Sequence, residues 1–526
     1  MKIYKMIFLF FITPALLFSE IGKVIKSIPL PIEQPYGLSK DGNFLLISDR
    51  ATSNLYYFSI PQEQIKDKRK LPFKKLTGIV KDDGGLWVID SEKKKIFHFN
   101  LKEEKVDKVL EDLETEPFSI AFDGENLWAT AKGKFFKIDA SDGTIIDSFS
   151  GLSSSPEGIH FDGKYLWITD RINDKIYVAN REGEIFGVLP SPAPYPTGIL
   201  RDKDILYVLD FQEKALYLMD ISFNEKPYYL GKSYKRKIKF SHSLCNKGPS
   251  SEVFGSIFIA IPEEDKHQKF LSPLKFHPEK YNVKKDRWGQ KFATLEGKIE
   301  NDGCLKIDYT TEVETFDLNY FIFPEWVQGL EAIPEEIKRE YTIDGKKLDI
   351  NNQYIKDLLK NIIKDEKNPF WIAFKIHKYL HTNIKYEMTG GWNKASTVLK
   401  RGNGSCSEFT FSFIALARAA GLPARYEAGI VVRGDDSSID NVYHRWAEVY
   451  LPPFGWIPVD PSKGMPATPL DVVNSFGSLS HRFFITTHSG GDSEYLGWNY
   501  NSYHKYEYKG EAEVYFITEA KWDQIK

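Results

Sequence analysis

Short apolar runs that stop on an acid recur through the first half of the chain. Leu45-Leu46-Ile47-Ser48-Asp49, Leu86-Trp87-Val88-Ile89-Asp90, Leu166-Trp167-Ile168-Thr169-Asp170 and Leu206-Tyr207-Val208-Leu209-Asp210 follow one another at a period of 39 to 41 residues. Leu127-Trp128-Ala129-Thr130-Ala131 keeps the spacing but lacks the terminal Asp. Before each run comes a turn-and-strand element such as Pro156-Glu157-Gly158-Ile159, and after it another apolar strand such as Lys175-Ile176-Tyr177-Val178. Three or four short strands per repeat predict a β-propeller over 20–235, with five clear blades and room for a degenerate sixth. The run 23–28 matches the outer strand of a repeat, so it is expected to close the ring. The Trp and Tyr residues are expected to pack between blades, and the repeated Asp residues to tie turns.

Beyond the repeats the period is lost while strand patterns persist, at 255–261, 291–295, 304–309 and 318–323. A β-sandwich-like domain over 236–323 is the expectation. From 324 to 526 the pattern becomes mixed and predicts an α+β domain. Ile355, Leu358, Leu359, Ile362 and Ile363 recur at helical spacing, and a second helix fits 369–381 with Pro369 in its first turn. A third helix puts Phe409, Phe413, Leu416 and Ala420 on one face and ends at Gly421-Leu422-Pro423. Strand-like segments follow at 424–432, 443–450 and 456–460. A multidomain chain also suits the length, since 526 residues exceed what one core organises.

A net charge of −3 offers no electrostatic grip on nucleic acid or anionic lipid. Lys2 and Lys5, the apolar run 6–18 and Ser19 read as a signal peptide over 1–19, hence an exported protein, periplasmic or extracellular. Leu17 fits a cleavage site poorly, which keeps an uncleaved N-terminal anchor as the competing reading. No cysteine follows that point closely enough for a lipid anchor. Of the three cysteines, Cys245 and Cys304 either pair in an oxidising compartment or stay as isolated thiols, and Cys406 is the odd one.

Cys406 stands at the start of the third helix, where unpaired N–H groups and the macrodipole favour a thiolate. His444 and Asp460 lie in separate strand-like segments. A hairpin folded at position 452 would set them opposite each other, so that Asp460 holds one imidazole nitrogen and aims the other at Cys406. Gly404-x-Cys406-x-Glu408, His444-x-Trp446-x-Glu448 and Trp456-x-Pro458-Val459-Asp460-Pro461 resemble the transglutaminase-like core, a relative of papain-type cysteine enzymes. The likeness covers about 352–464, and the segment 482–485 could complete it. The repeats resemble NHL- or YncE-like propellers.

This resemblance implies Cys406 as nucleophile, His444 as general base and acid, and Asp460 as orienting group, with no cofactor and no metal. The Cys406 N–H is a candidate oxyanion donor, with Trp392 and Tyr386 as further guesses. Trp446 and Trp456 are expected to pack, and Glu448 to sit in a salt bridge. His377, His381, His481 and His488 lack metal-ligand spacing. The expected activity is hydrolysis of protein or peptide amides through a thioester, with the propeller binding a protein or cell-wall ligand. The alternatives are a cross-linking transglutaminase and a non-catalytic scaffold.

Overall fold

The computed structural model describes residues 20–111, 116–250, 252–388, 392–432, 438–440, 443–462 and 469–525. The expected signal peptide, 1–19, lies outside the described residues.

Five four-stranded antiparallel sheets form propeller-like blades. The strand Lys23–Pro29 pairs with Ala215–Asp220, so the start of the described chain supplies the outer strand of the fifth blade. Among the described residues there is no sixth sheet of this kind. The recurring Gly after the turn is explained by close approach between blades rather than by a special φ. A Cβ on Gly158 would meet Thr197 O at 1.9 Å, and one on Gly37 would meet Thr77 O at 2.4 Å. The hydroxyls that precede the terminal Asp residues fasten the same seams: Ser48 donates to Thr77 O at 2.6 Å and Thr169 to Thr197 O at 2.9 Å. The terminal Asp carboxylates cap turns, Asp210 accepting the N–H groups of Tyr195 and Glu213 at 2.7 Å each.

Two further sheets face each other beyond the blades. One pairs Tyr228–Pro249 with Cys304–Tyr320 and Ala512–Gln524, and the other joins Val253–Ala260, Lys291–Ile299, Asn282–Lys285 and Ser502–Tyr508. Ile238, Phe240, Ile257, Ile259, Ile307 and Trp522 are buried together in this core. The expected boundary at 324 gave the whole tail to the α+β region, and here the structure differs. The last two strands return to the sandwich, where Trp522 fills the core and 502–508 extends the second sheet. Alternating residues in the tail announce strands but carry no mark of which sheet they join. Cys245 and Cys304 occupy directly opposed positions and form a disulfide.

The α+β region sits between these sandwich strands. Its sheet runs in the order Gly455–Val459, Tyr443–Leu451, Ala424–Val431, Phe483–Ser489. The helices Gln353–Ile363, Pro369–Asn383, Ala395–Arg401 and Cys406–Ala419 accompany it. The Cys406–Ala419 helix is buried from Cys406 to Arg418, because it contacts the sheet and the neighbouring helices together. One apolar core runs from the fourth blade into this region. Phe186 meets Phe370 and Trp371 at 6.1 and 5.2 Å, and Trp167 meets Phe323 at 5.9 Å.

Candidate active site

Cys406 is the first residue of its helix, preceded by Ser405 in extended geometry. The Ser405 N–H donates to Glu408 Oε2 at 3.1 Å, one arm of a capping arrangement. Glu408 is fully buried and also accepts from Asn393 N–H at 2.9 Å and from Arg401 Nη2 at 2.7 Å. Burial alone would raise its pKa, but these donors and the Arg401 charge hold it below the usual range. The carboxylate thus ties the loop after Trp392 and the end of the preceding helix to the turn that carries the thiol.

The strand Tyr443–Leu451 brings His444 to Cys406. Register pairs Leu451 with Gly455 and Ala447 with Val459, so the hairpin folds about position 453, not 452. His444 and Asp460 are therefore staggered rather than directly opposed. The expected fold point assumed a turn centred one residue earlier. Asp460, one position past the paired strand, still reaches back: its Oδ2 lies 2.8 Å from His444 Nε2. Asp460 Oδ1 accepts from Ser462 N–H at 3.1 Å and from Ser462 Oγ at 3.0 Å, which fixes the carboxylate plane. With Nε2 on Asp460, Nδ1 is the ring nitrogen left for the hydrogen bond that His444 makes to Cys406.

These contacts move both titrations. Burial pushes the Cys406 thiol up, but the His444 hydrogen bond and charge, the Tyr500 hydroxyl and the Arg445 N–H bring it down to about 7. Burial lowers His444, but the Asp460 charge and hydrogen bond, with Cys406, raise it to about 10. Above pH 7 the pair can therefore hold a thiolate beside an imidazolium, a charged nucleophile ready for a carbonyl carbon.

The other expected residues fall as follows. The Tyr386 hydroxyl contacts both the Cys406 side chain and its N–H. Trp392 packs edge-on to Tyr500 at 5.5 Å and near the Arg445 guanidinium at 5.0 Å. Trp446 stacks on His444, and Trp456 lies under the Arg425 guanidinium at 4.4 Å. His377 and His381 are buried beneath Asp460, sharing Ser475 Oγ at 3.0 and 3.2 Å. His481 binds Asp317 at 2.8 Å.

Glu448 pairs with Arg425 at 2.6 Å, in the salt bridge expected of it. His488 and Glu427 complete a four-membered set, with His488 Nδ1 2.9 Å from Glu427 and Trp446 Nε1 donating to Glu427 at 2.6 Å. Burial and the Glu448 charge raise Glu427 to about 7, and Arg425 with His488 overcomes burial to draw Glu448 down to about 2. These side chains line a cavity of about 460 Å³. Glu427, Glu448 and His488 offer donor atoms within 4.8 Å of one another, the spacing a metal ion would need. Arg425 and His488 give the two acidic side chains basic partners within the set.

Two neighbours of the thiol escaped the sequence reading. Tyr500 sets its hydroxyl 3.8 Å from Cys406 Sγ and 2.6 Å from Ser407 Oγ, and Arg445 is buried beside it. Only the adjacency of Arg445 to His444 could have drawn attention to either.

Residues 356–461 match the family model of the transglutaminase-like superfamily, and the chain carries a transglutaminase-like domain there. An uncharacterized protein of Haemophilus influenzae is 32% identical over 129 residues, covering 20% of this chain and 35% of that protein. The uncharacterized protein YebA of Bacillus subtilis is 27% identical over 189 residues, covering 32% of this chain and 24% of that protein. The matches thus span about a third and a quarter of these curated relatives. A solved structure from Cytophaga hutchinsonii, described as a candidate cysteine protease, is 14% identical with a TM-score of 0.39, covering 57% of this chain and all of that one.

Proposed function

We propose that the chain is a cysteine-dependent acyl-transfer enzyme that hydrolyses amide bonds in proteins or peptides. The observation that carries the reading is His444, which lies 2.8 Å from Asp460 Oδ2 and beside the Cys406 thiol. In the first step the Cys406 thiolate attacks the carbonyl carbon. A C–S bond forms and the π pair moves to oxygen. The Cys406 N–H and the Tyr386 hydroxyl, which meet beside the thiol, would serve that oxyanion once the hydroxyl turns from the N–H to the substrate. His444 then protonates the leaving amine as the C–N bond breaks, leaving a thioester. A water molecule, deprotonated by His444, attacks the thioester and releases the acid and the thiolate.

Hydrolysis is favoured over transfer to a second amine because water is abundant and amine transfer needs a shielded thioester. Export is supported by the Cys245–Cys304 disulfide, a bond that persists in oxidising compartments. The propeller-like blades would serve as the platform that recruits a protein or cell-wall ligand. The purified protein, with Cys406→Ala as control, should be incubated with glutamine-bearing peptides and a fluorescent amine. Cleaved peptide that disappears in the control supports hydrolysis. Amine incorporation would replace it with cross-linking, and neither product would favour a binding scaffold.

A further inference from the structure

Arg445 has an unusual setting for a cation. It is fully buried, and among the described residues no carboxylate pairs with it. Four aromatic rings enclose its guanidinium: Tyr500 at 4.4 Å, Tyr426 at 4.6 Å, Phe411 at 4.9 Å and Trp392 at 5.0 Å. One nitrogen donates to Trp498 O, while Nε and Nη1 have no hydrogen-bond partner. A buried cation without a counter-ion is costly, and ring faces compensate only part of that cost. What this arrangement does fix is the position of Tyr500.

The Tyr500 ring is held by the guanidinium on one contact and by Trp392 on another. Its hydroxyl lies between Ser407 Oγ at 2.6 Å and Cys406 Sγ at 3.8 Å. With Ser407 donating to the phenol oxygen, the phenol hydrogen is free to point at sulfur. The backbone of Arg445 is tied into the same corner. Its N–H reaches Cys406, and its carbonyl accepts from Thr410 Oγ1 at 3.1 Å.

We propose that Tyr500 is a fourth catalytic residue, donating a hydrogen bond to the Cys406 thiolate, and that Arg445 is a positioning residue that acts through it. The assignment rests on the cysteine-enzyme reading above. Tyr500 lies outside the matched segment 356–461. It is anchored from the sandwich side, because the next residue, Asn501, accepts from Ala260 N–H at 2.9 Å and 502 begins the strand paired with Val253–Ala260. The nucleophile's surroundings are thus completed by a segment that belongs to another sheet.

The test is the rate of Cys406 alkylation by iodoacetamide as a function of pH, on the full chain. Wild type should inflect near pH 7. Tyr500→Phe should shift that inflection upward and slow alkylation at pH 6.5 by about tenfold, the scale of one hydrogen bond to a charged group. The plateau rate at high pH should stay within about twofold, since the fully ionised thiolate no longer needs the donor. Arg445→Met should cause a like shift alone and no further shift on top of Tyr500→Phe. An activated wild-type thiol with an unmoved Tyr500→Phe profile would overturn the proposal and leave the enzyme reading intact. An ordinary thiol in wild type would overturn both. Should Arg445→Met fail to fold, the Tyr500→Phe profile decides alone.

Discussion

The Nε2 atom of His444 lies 2.8 Å from Oδ2 of Asp460, while the imidazole also bonds the Cys406 thiol. The carboxylate fixes which nitrogen faces sulfur and supplies the charge that keeps the ring protonated beside a thiolate. Asp460→Asn keeps the shape and loses both effects. Peptide hydrolysis by that variant is expected to fall by about ten-thousandfold in kcat, the order seen when a triad carboxylate becomes an amide. Alkylation of Cys406 should slow in parallel at neutral pH, and an unchanged alkylation rate would count against the pairing.

The pH profile of hydrolysis follows from the two shifted groups. Cys406, brought down to about 7, loses its nucleophile as pH falls through that value. His444, raised to about 10, loses the proton needed by the leaving amine as pH rises through it. A bell with limbs near 7 and 10 is expected in kcat/KM. A single limb near 9, the range of an unperturbed thiol, would contradict the thiolate–imidazolium arrangement.

Linkage gives His444 an opposite signature in stability. Its folded pKa of about 10 lies above the unfolded value near 6.5, so folding binds its proton more tightly. That contribution is fully present below pH 6.5 and fades as pH rises towards 10. Asp460→Asn should therefore destabilise the protein more at pH 6 than at pH 10, measured by urea midpoints on a Cys406→Ala background.

The disulfide closes a loop with a sequence separation of 59 residues. Restricting the unfolded chain over such a length is worth roughly 4 kcal/mol before any strain is subtracted. Reductant, or Cys245→Ser with Cys304→Ser, should lower the stability of the sandwich by up to about that amount. Thermal unfolding of a Cys406→Ala protein, with and without reductant, measures it free of the reactive thiol.

Gly158 tests the blade seams. An added Cβ would lie 1.9 Å from Thr197 O, a backbone atom that cannot step aside cheaply. Gly158→Ala is expected to cost about 3 kcal/mol. Gly297→Ala, where the nearest atom is a Leu305 methyl at 3.9 Å, is the control and should change little. Equal urea midpoints for the two variants would show that the blades do not pack as closely as described.

Repetition made the first half of the chain readable: one blade is ambiguous, but five copies at one spacing fix strand positions, and the early strand at 23–29 found its place in the fifth sheet. The thiol, imidazole and carboxylate were readable because each follows a local signal, a helix start or a strand. Register was less so. Leu451 to Gly455 contains two prolines and a glycine, and pattern alone does not say which residue sits at the tip. Tyr500 was unreadable for a deeper reason. Trp498-Asn499-Tyr500 has no periodicity, and Tyr500 meets Arg445, 55 positions earlier, only in the folded chain.

The return of 502–525 to the sandwich makes the transglutaminase-like region a guest threaded into its host. A ribosome therefore finishes the cleft before it finishes the walls that brace it. Until those strands emerge, the Tyr228–Pro249 strand has one open flank and the segment bearing Tyr500 lacks its anchor on the Val253–Ala260 strand. A chain halted before those strands would hold the thiol without the pairing that anchors its phenol neighbour.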